Sequence, residues 1–198
     1  QVFEFRRFSV DVIKEQIAHI VQTQERKVEE AALFLIARMS EGSMRDAQSL
    51  LDQAIAFSGE GRLSLEDAEA VLGVPPAEVY RKIVSAVVAR DARAALCELG
   101  GVFDAGHDLR LFCTSLLEYL RDIMVILAAG DVGELFEVGQ EELAERKALA
   151  GKISFEEAHQ AYSILQSAEA ELRTSAHPRM TMELAVLRMA MLGSLADL

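Results

Sequence analysis

Tryptophan is absent from this 198-residue chain, proline occurs three times and cysteine twice. So little proline excludes a polyproline linker, and the 51% hydrophobic and 26% charged content places the chain among packed globular proteins, not disordered ones. Cys97 and Cys113 lack the C-x-x-C spacing of a zinc site or redox pair, so both are expected as buried free thiols in a reducing cytoplasm. Cations are in deficit: 20 Lys and Arg face 32 Asp and Glu, for a net charge of −12. Residues 1–73 hold eight of the cations and thirteen of the acids, so neither half is a basic platform. Nucleic-acid affinity depends on clustered Lys and Arg neutralising phosphates, so little direct DNA binding is expected, and proteins or one localised anion are the better partners. The longest apolar stretch, Leu109 to Ala129, is broken by Arg110, Glu118, Arg121 and Asp122. That excludes a membrane span, and no signal peptide opens the chain. Phosphate-cradling glycine loops of the Walker or dinucleotide type do not occur, nor does a Ser, His and acid arrangement with a recognisable local motif.

What is present is helical periodicity, and the fold class it predicts is all-α. The first residues, Val2-Phe3-Glu4-Phe5-Arg6-Arg7-Phe8, alternate apolar and polar like a short extended segment. The pattern starts in mid-course at Gln1 with no initiator methionine, and on that ground the sequence reads as a piece of a longer protein. Ser9 predicts an N-cap for a helix to about Gln24, with Val12, Ile13, Ile17, Ile20 and Val21 at three- and four-residue steps. A second helix is expected over 28–41, stopped by Gly42. Ser43 opens a third, with Asp46 three positions on as an aspartate variant of the capping box and Ala47, Leu50, Leu51, Ala54 and Ile55 as its stripe. A fourth follows Ser64, with Asp67 in the same relation, and ends near Gly73. These four make one small bundle, residues 1–73.

Val74-Pro75-Pro76 is the best boundary, because neither proline continues a preceding helix and the second suits a new helix's first turn. Residues 75–198 then read as helices over 76–90, 92–104, 108–129, 139–150, 154–174 and 178–195. In the last of these, apolar side chains from Met180 to Leu192 cover most of the circumference. Such a helix needs cover on several sides, from a bundle centre or a subunit interface.

The most unusual local feature is Arg45, a cation at the second position of a helix whose amide end already carries partial positive charge. Helix dipoles disfavour that placement by about 0.3–1 kcal/mol. The same amides with an arginine's forked donors make a receptor for a phosphate. The competing reading is a surface pair between Arg45 and Glu41 or Asp46, and local physics alone does not separate the two.

The run Glu41-Gly42-Ser43-Met44-Arg45-Asp46-Ala47-Gln48-Ser49-Leu50-Leu51-Asp52-Gln53-Ala54-Ile55-Ala56 resembles the lid helix of the gamma/tau subunit family of bacterial DNA polymerase III, the clamp-loader AAA+ ATPases. In that family this helix carries the sensor 2 arginine, which Arg45 resembles and which touches the terminal phosphate of ATP. Phe3-Glu4-Phe5-Arg6-Arg7-Phe8 resembles the stretch leaving the ATPase domain. Glu171-Leu172-Arg173 and His177-Pro178-Arg179, with Glu183 through Arg188, resemble the closing helices of the family's collar. The resemblance implies an AAA+ lid over 1–73 and, over 75–198, a helical collar for oligomerisation. Through the collar, copies of the chain and other clamp-loader subunits would assemble into a ring that loads the sliding clamp on primed DNA. It also implies that ATP is bound mainly by a domain before Gln1, which carries the Walker motifs and a structural zinc. This piece alone would then hold no catalytic residues and no cofactor. The alternative is a free-standing helical scaffold or adaptor in which Arg45 is a surface residue.

Weaker signals have plainer readings. Glu156-Glu157-Ala158-His159 contains one E-x-x-H, where a di-iron bundle needs two copies and two further glutamates. His19, His107 and His177 stand alone, so no metal is assigned. Met180, Met182, Met189 and Met191 suit core filling or an adaptable interface. Arg173 and Arg179 suit surface ion pairs.

Overall fold

A computed structural model of the chain describes residues 7–24, 26–59, 61–130, 136 and 138–192. Regular structure among them is entirely helical, and the chain divides into two compact units, Gln1–Val74 and Pro75–Leu198.

The first unit holds α1 (Val10–Thr23), α2 (Glu30–Met39), α3 (Met44–Ser58) and α4 (Leu65–Leu72). Ser9 caps α1 by accepting from the Val12 amide. Ile13, Ile17 and Val21, four residues apart, form its buried stripe, and Ala32, Leu33, Leu35, Ile36 and Ala37 of α2 are buried with them. Each fully buried isoleucine or leucine contributes about 1.5–3 kcal/mol. Of the alternating entry segment, residues 2–6 lie outside the described residues, while Arg7 and Phe8 are non-helical.

The second helix starts at Glu30, later than the sequence predicts. The cause is a non-local pairing: Val28 forms an isolated parallel bridge with Leu63, with Leu63 N donating to Lys27 O and Glu29 N to Leu63 O, both at 3.0 Å. Backbone groups satisfied in that way are not free to start a helix. Glu29 Oε2 then accepts from the Leu65 amide at 3.0 Å, setting a carboxylate at the positive end of α4. Ser64 and Asp67 form a full capping box there, and Gly73, in the left-handed conformation at φ 67°, ends α4.

The second unit holds α5 (Ala77–Val88), α6 (Ala92–Asp104), α7 (Leu109–Ala129), α8 (Gln140–Ala150), α9 (Phe155–Leu172) and α10 (Pro178–Ala190). Pro76 caps α5 from outside instead of entering its first turn. Its core is built on α7, through Phe112, Cys113, Leu116, Leu120 and Ile123, and on α9, whose Ala158, Ala161, Leu165, Ala168 and Leu172 repeat at three- and four-residue steps. Small alanines on that seam let the two backbones approach closely. Tyr80 of α5 stacks on Phe112 with ring centroids 5.4 Å apart.

Two expectations need correction here. Cys113 is buried, but Cys97 is exposed. Position 97 lies on the opposite side of α6 from its buried residues Ala95, Leu99 and Val102. The last helix ends at Ala190, short of 195: the Met191 amide divides between the carbonyls of Leu187 at 3.1 Å and Arg188 at 3.3 Å, and Leu192 N bonds Met189 O. That tightening closes the helix, and residues 193–195 lie outside the described residues. Around α10, Met182, Ala185, Val186, Met189 and Ala190 are buried, whereas Met180 is 57% and Leu184 54% exposed.

Candidate functional site

Arg45 sits at one end of the first unit, and its surroundings follow from the turn between α2 and α3. Glu41 and Gly42 both take positive φ, 49° and 86°, which reverses the chain and leaves Ser43 extended as the N-cap of α3. The Ser43 hydroxyl accepts from the Asp46 amide at 3.3 Å. Ser64–Asp67 forms the reciprocal box, but Asp46 does not return the bond at Ser43. The Phe8 amide donates to Gly42 O at 3.1 Å, so the entry segment is fastened to this turn. A Cβ at residue 42 would lie 2.7 Å from Arg7 Cβ and 3.1 Å from Phe8 O. Gly42, read from the sequence as a helix stop, is therefore also what lets the entry segment reach Arg45's end of the helix. Its position just before a serine cap was the available signal.

The surface-pair reading of Arg45 does not match this geometry. Glu41 lies 4.0 Å from the exposed Arg7 guanidinium. Among the described residues, Arg45 is exposed, and its side chain makes no ion pair or hydrogen bond with Glu41, Asp46 or any other. Its carbonyl accepts from Ser49 Oγ at 3.0 Å. The amides of Met44 and Arg45, first in α3, also have no acceptor among the described residues. An unengaged guanidinium thus stands beside two unengaged amides, a donor set suited to one anion. Buried Ala47, Leu51 and Ala54 hold α3 in place behind it. Phe8, just ahead of α1, and Val12 in its first turn, near the same end, are 52% and 46% exposed.

Other marked residues have structural occupations. Glu157 closes a capping box with Ser154, whose hydrogen bonds hold its carboxyl below the usual range, and it pairs with Arg90 at 2.8 Å. His159 stacks on Phe155 at 6.3 Å. Arg173 pairs with Glu169 and Arg179 with Glu183, each at 2.9 Å. No group of three or more His, Cys, Asp or Glu among the described residues is arranged to hold a metal.

Comparison with known proteins decides the family. The sequence model of DNA polymerase III subunits gamma and tau domain III matches residues 63–198, and that of the DNA polymerase III clamp loader subunit, ATPase lid domain, matches residues 12–60. The chain belongs to the DNA polymerase III gamma and tau subunit family. Among this family's members, the tau subunit of Bacillus subtilis is 31% identical over 201 residues, covering 100% of this chain and 35% of that protein. The tau subunit of Escherichia coli is 31% identical over 187 residues, covering 94% and 28%, and the gamma/tau subunit of Mycobacterium tuberculosis H37Rv is 28% identical over 197 residues, covering 98% and 34%. The chain spans about a third of the length of these curated gamma/tau relatives. A solved Bacillus subtilis DNA clamp loader delta protein shares the fold, with a TM-score of 0.51 at 14% identity over 95% of this chain and 58% of that one. Membership of the gamma/tau family favours clamp-loader domains over a free-standing adaptor. The two family segments meet between residues 60 and 63, whereas α4 packs with α2 and α3 of the first unit. Among the described residues of this gamma/tau chain, no helix is long and apolar enough to cross a membrane.

Proposed function

We propose that the first unit reads ATP held by an ATPase domain of the longer protein, and that the second assembles subunits into a ring. Arg45 is the reader. Its guanidinium and the first amides of α3 grip the terminal phosphate, an anion that ADP lacks, so the lid closes on that domain only when ATP is present. Exposed Phe8 and Val12 lie near this end, and closure covers them. The link Val74-Pro75-Pro76, stiffened by two fixed backbone angles, passes the lid's movement to the collar. In the ring, copies of this chain and other clamp-loader subunits turn nucleotide state into opening of the sliding clamp and its placement on primed DNA, in the bacterial cytoplasm. The observation that carries the reading is Arg45 itself, at a helix end that disfavours a cation and with no partner among the described residues to hold it there.

The test is Arg45→Ala in the longer protein. Because the side chain is exposed and unengaged, the melting transition should stay within about 0.5 kcal/mol of the parent. ATP-dependent clamp loading should fall by about tenfold or more. Unchanged loading would remove the phosphate role.

A further inference from the structure

The first unit carries a second feature that nucleotide sensing does not use. An open cleft of about 390 Å³ lies between the C-terminal half of α1, the connector before α2 and the segment before α4. Val21, Val28 and Leu33 form its apolar floor, and Arg26, Lys27 and Arg62 its rim. Among the described residues no acidic one lines it, in a chain whose net charge is −12. Arg26 is committed to Gly59 O at 2.6 Å and Arg62 lies 3.7 Å from Glu29 Oε1. The Lys27 ammonium has no partner among the described residues.

The cleft is remote from Arg45. Phe8 N bonds Gly42 O, just ahead of α3, while Arg26 bonds Gly59 O at its other end. The two helices thus run side by side in the same direction. The 14 residues of α1 separate the ends by about 21 Å at 1.5 Å per residue.

From this placement we infer that the cleft is a docking site for an acidic, amphipathic segment of a partner protein. One or two apolar side chains seat on Val21, Val28 and Leu33, and flanking carboxylates meet Lys27 and Arg62. The volume suits a few side chains. A nucleic-acid backbone offers the cationic rim its charge but has nothing to place on the apolar floor. An acidic peptide with leucine or phenylalanine satisfies both, and the cationic rim favours it in a chain whose net charge is −12. The inference does not depend on Arg45 or on ATP.

The experiment titrates the full chain, methyl-labelled for NMR, with a short fluorescein-labelled peptide alternating Glu and Leu. Controls carry Gln for Glu, or Ser for Leu. The expected result is shifts confined to Val21, Val28 and Leu33 methyls, and affinity about tenfold weaker for either control and for Lys27→Gln/Arg62→Gln, in line with loss of charge complementarity. Both substituted residues are exposed, and unchanged spectra elsewhere show that the variant is folded. Absence of those shifts at millimolar peptide would overturn the proposal, as would equal binding by the Gln control. Displacement of the peptide by a duplex oligonucleotide that shifts the same methyls would also overturn it, in favour of a nucleic-acid site.

Discussion

Arg146 of α8 donates through Nη1 to Asp122 Oδ2 of α7 with only 5% and 6% of the two side chains exposed. The Tyr119 ring lies 4.5 Å from the guanidinium carbon, Arg121 adds a bond to Asp122 at 2.7 Å, and Glu142 one to Arg146 at 3.4 Å. This pair is a buried polar anchor between α8 and α7. Removing one partner leaves the other buried charge with a single remaining partner, half-exposed Arg121 for Asp122 or Glu142 at 3.4 Å for Arg146, so Asp122→Asn or Arg146→Ala should destabilise that unit by up to about 3–5 kcal/mol in urea unfolding. Replacing both, as Asp122→Leu with Arg146→Met, should cost far less than the sum. Additive losses would show that the two residues do not act as a pair.

Gly42 supports the reading end of the lid by conformation and by space. Gly42→Ala forces a Cβ onto φ 86° and to within 2.7 Å of Arg7 Cβ. The backbone term alone is about 1–2 kcal/mol, and the entry segment must shift as well. Hydrogen exchange at the Phe8 amide should accelerate accordingly. Wild-type protection there would mean that the Phe8–Gly42 bond does not hold the segment.

The exposed face of α10 tests the collar half of the account. Met180 and Leu184 stand one turn apart, 57% and 54% exposed, and substitution there disturbs no core contact. Met180→Glu with Leu184→Glu should convert an associating chain to monomer in sedimentation velocity while leaving its helical signal unchanged. Persisting association would place the assembly surface elsewhere.

How much of this was legible in the sequence depended on distance along the chain. Ser9, Ser43, Ser64 and Ser154 each cap a helix by accepting from an amide three residues on, a local chemistry that a short window displays. The Val28–Leu63 bridge joins residues far apart, so periodicity extended the second helix over residues that tertiary pairing claims. Asp122 and Arg146 look like ordinary surface charges in their own helices, and burial appears only once α8 lies on α7. Leu184 lies in a run that is apolar nearly all round, which cannot say which side stays uncovered. Arg45 is a different case: its helix and cap were local, but its role rested on the family run from Glu41 to Ala56. The structure adds that Glu41 faces Arg7 and not Arg45.

Two buried groups define an alkaline limit for the second unit. Burial pushes the Cys113 thiol from 9.0 up to about 12 and, outweighing the nearby Arg146, the Tyr119 hydroxyl from 10.0 up to about 12. Both folded values lie above the unfolded ones, so their contribution is intact below pH about 9 and is lost as pH rises towards about 12. Unfolding midpoints should hold to about pH 9 and then decline. At pH 8, iodoacetamide should modify exposed Cys97 and spare Cys113 until the chain unfolds. Equal labelling of both thiols in the folded chain would contradict the buried position of Cys113.

The most direct measurement of the central claim compares ATP and ADP affinity in the longer protein, with and without Arg45→Ala. A guanidinium that grips only the terminal phosphate contributes about 1.5–3 kcal/mol as a charge-assisted hydrogen bond, or roughly ten- to a hundredfold in Kd. The account predicts that loss for ATP with ADP binding unchanged. Equal effects on both nucleotides, or none on either, would contradict it.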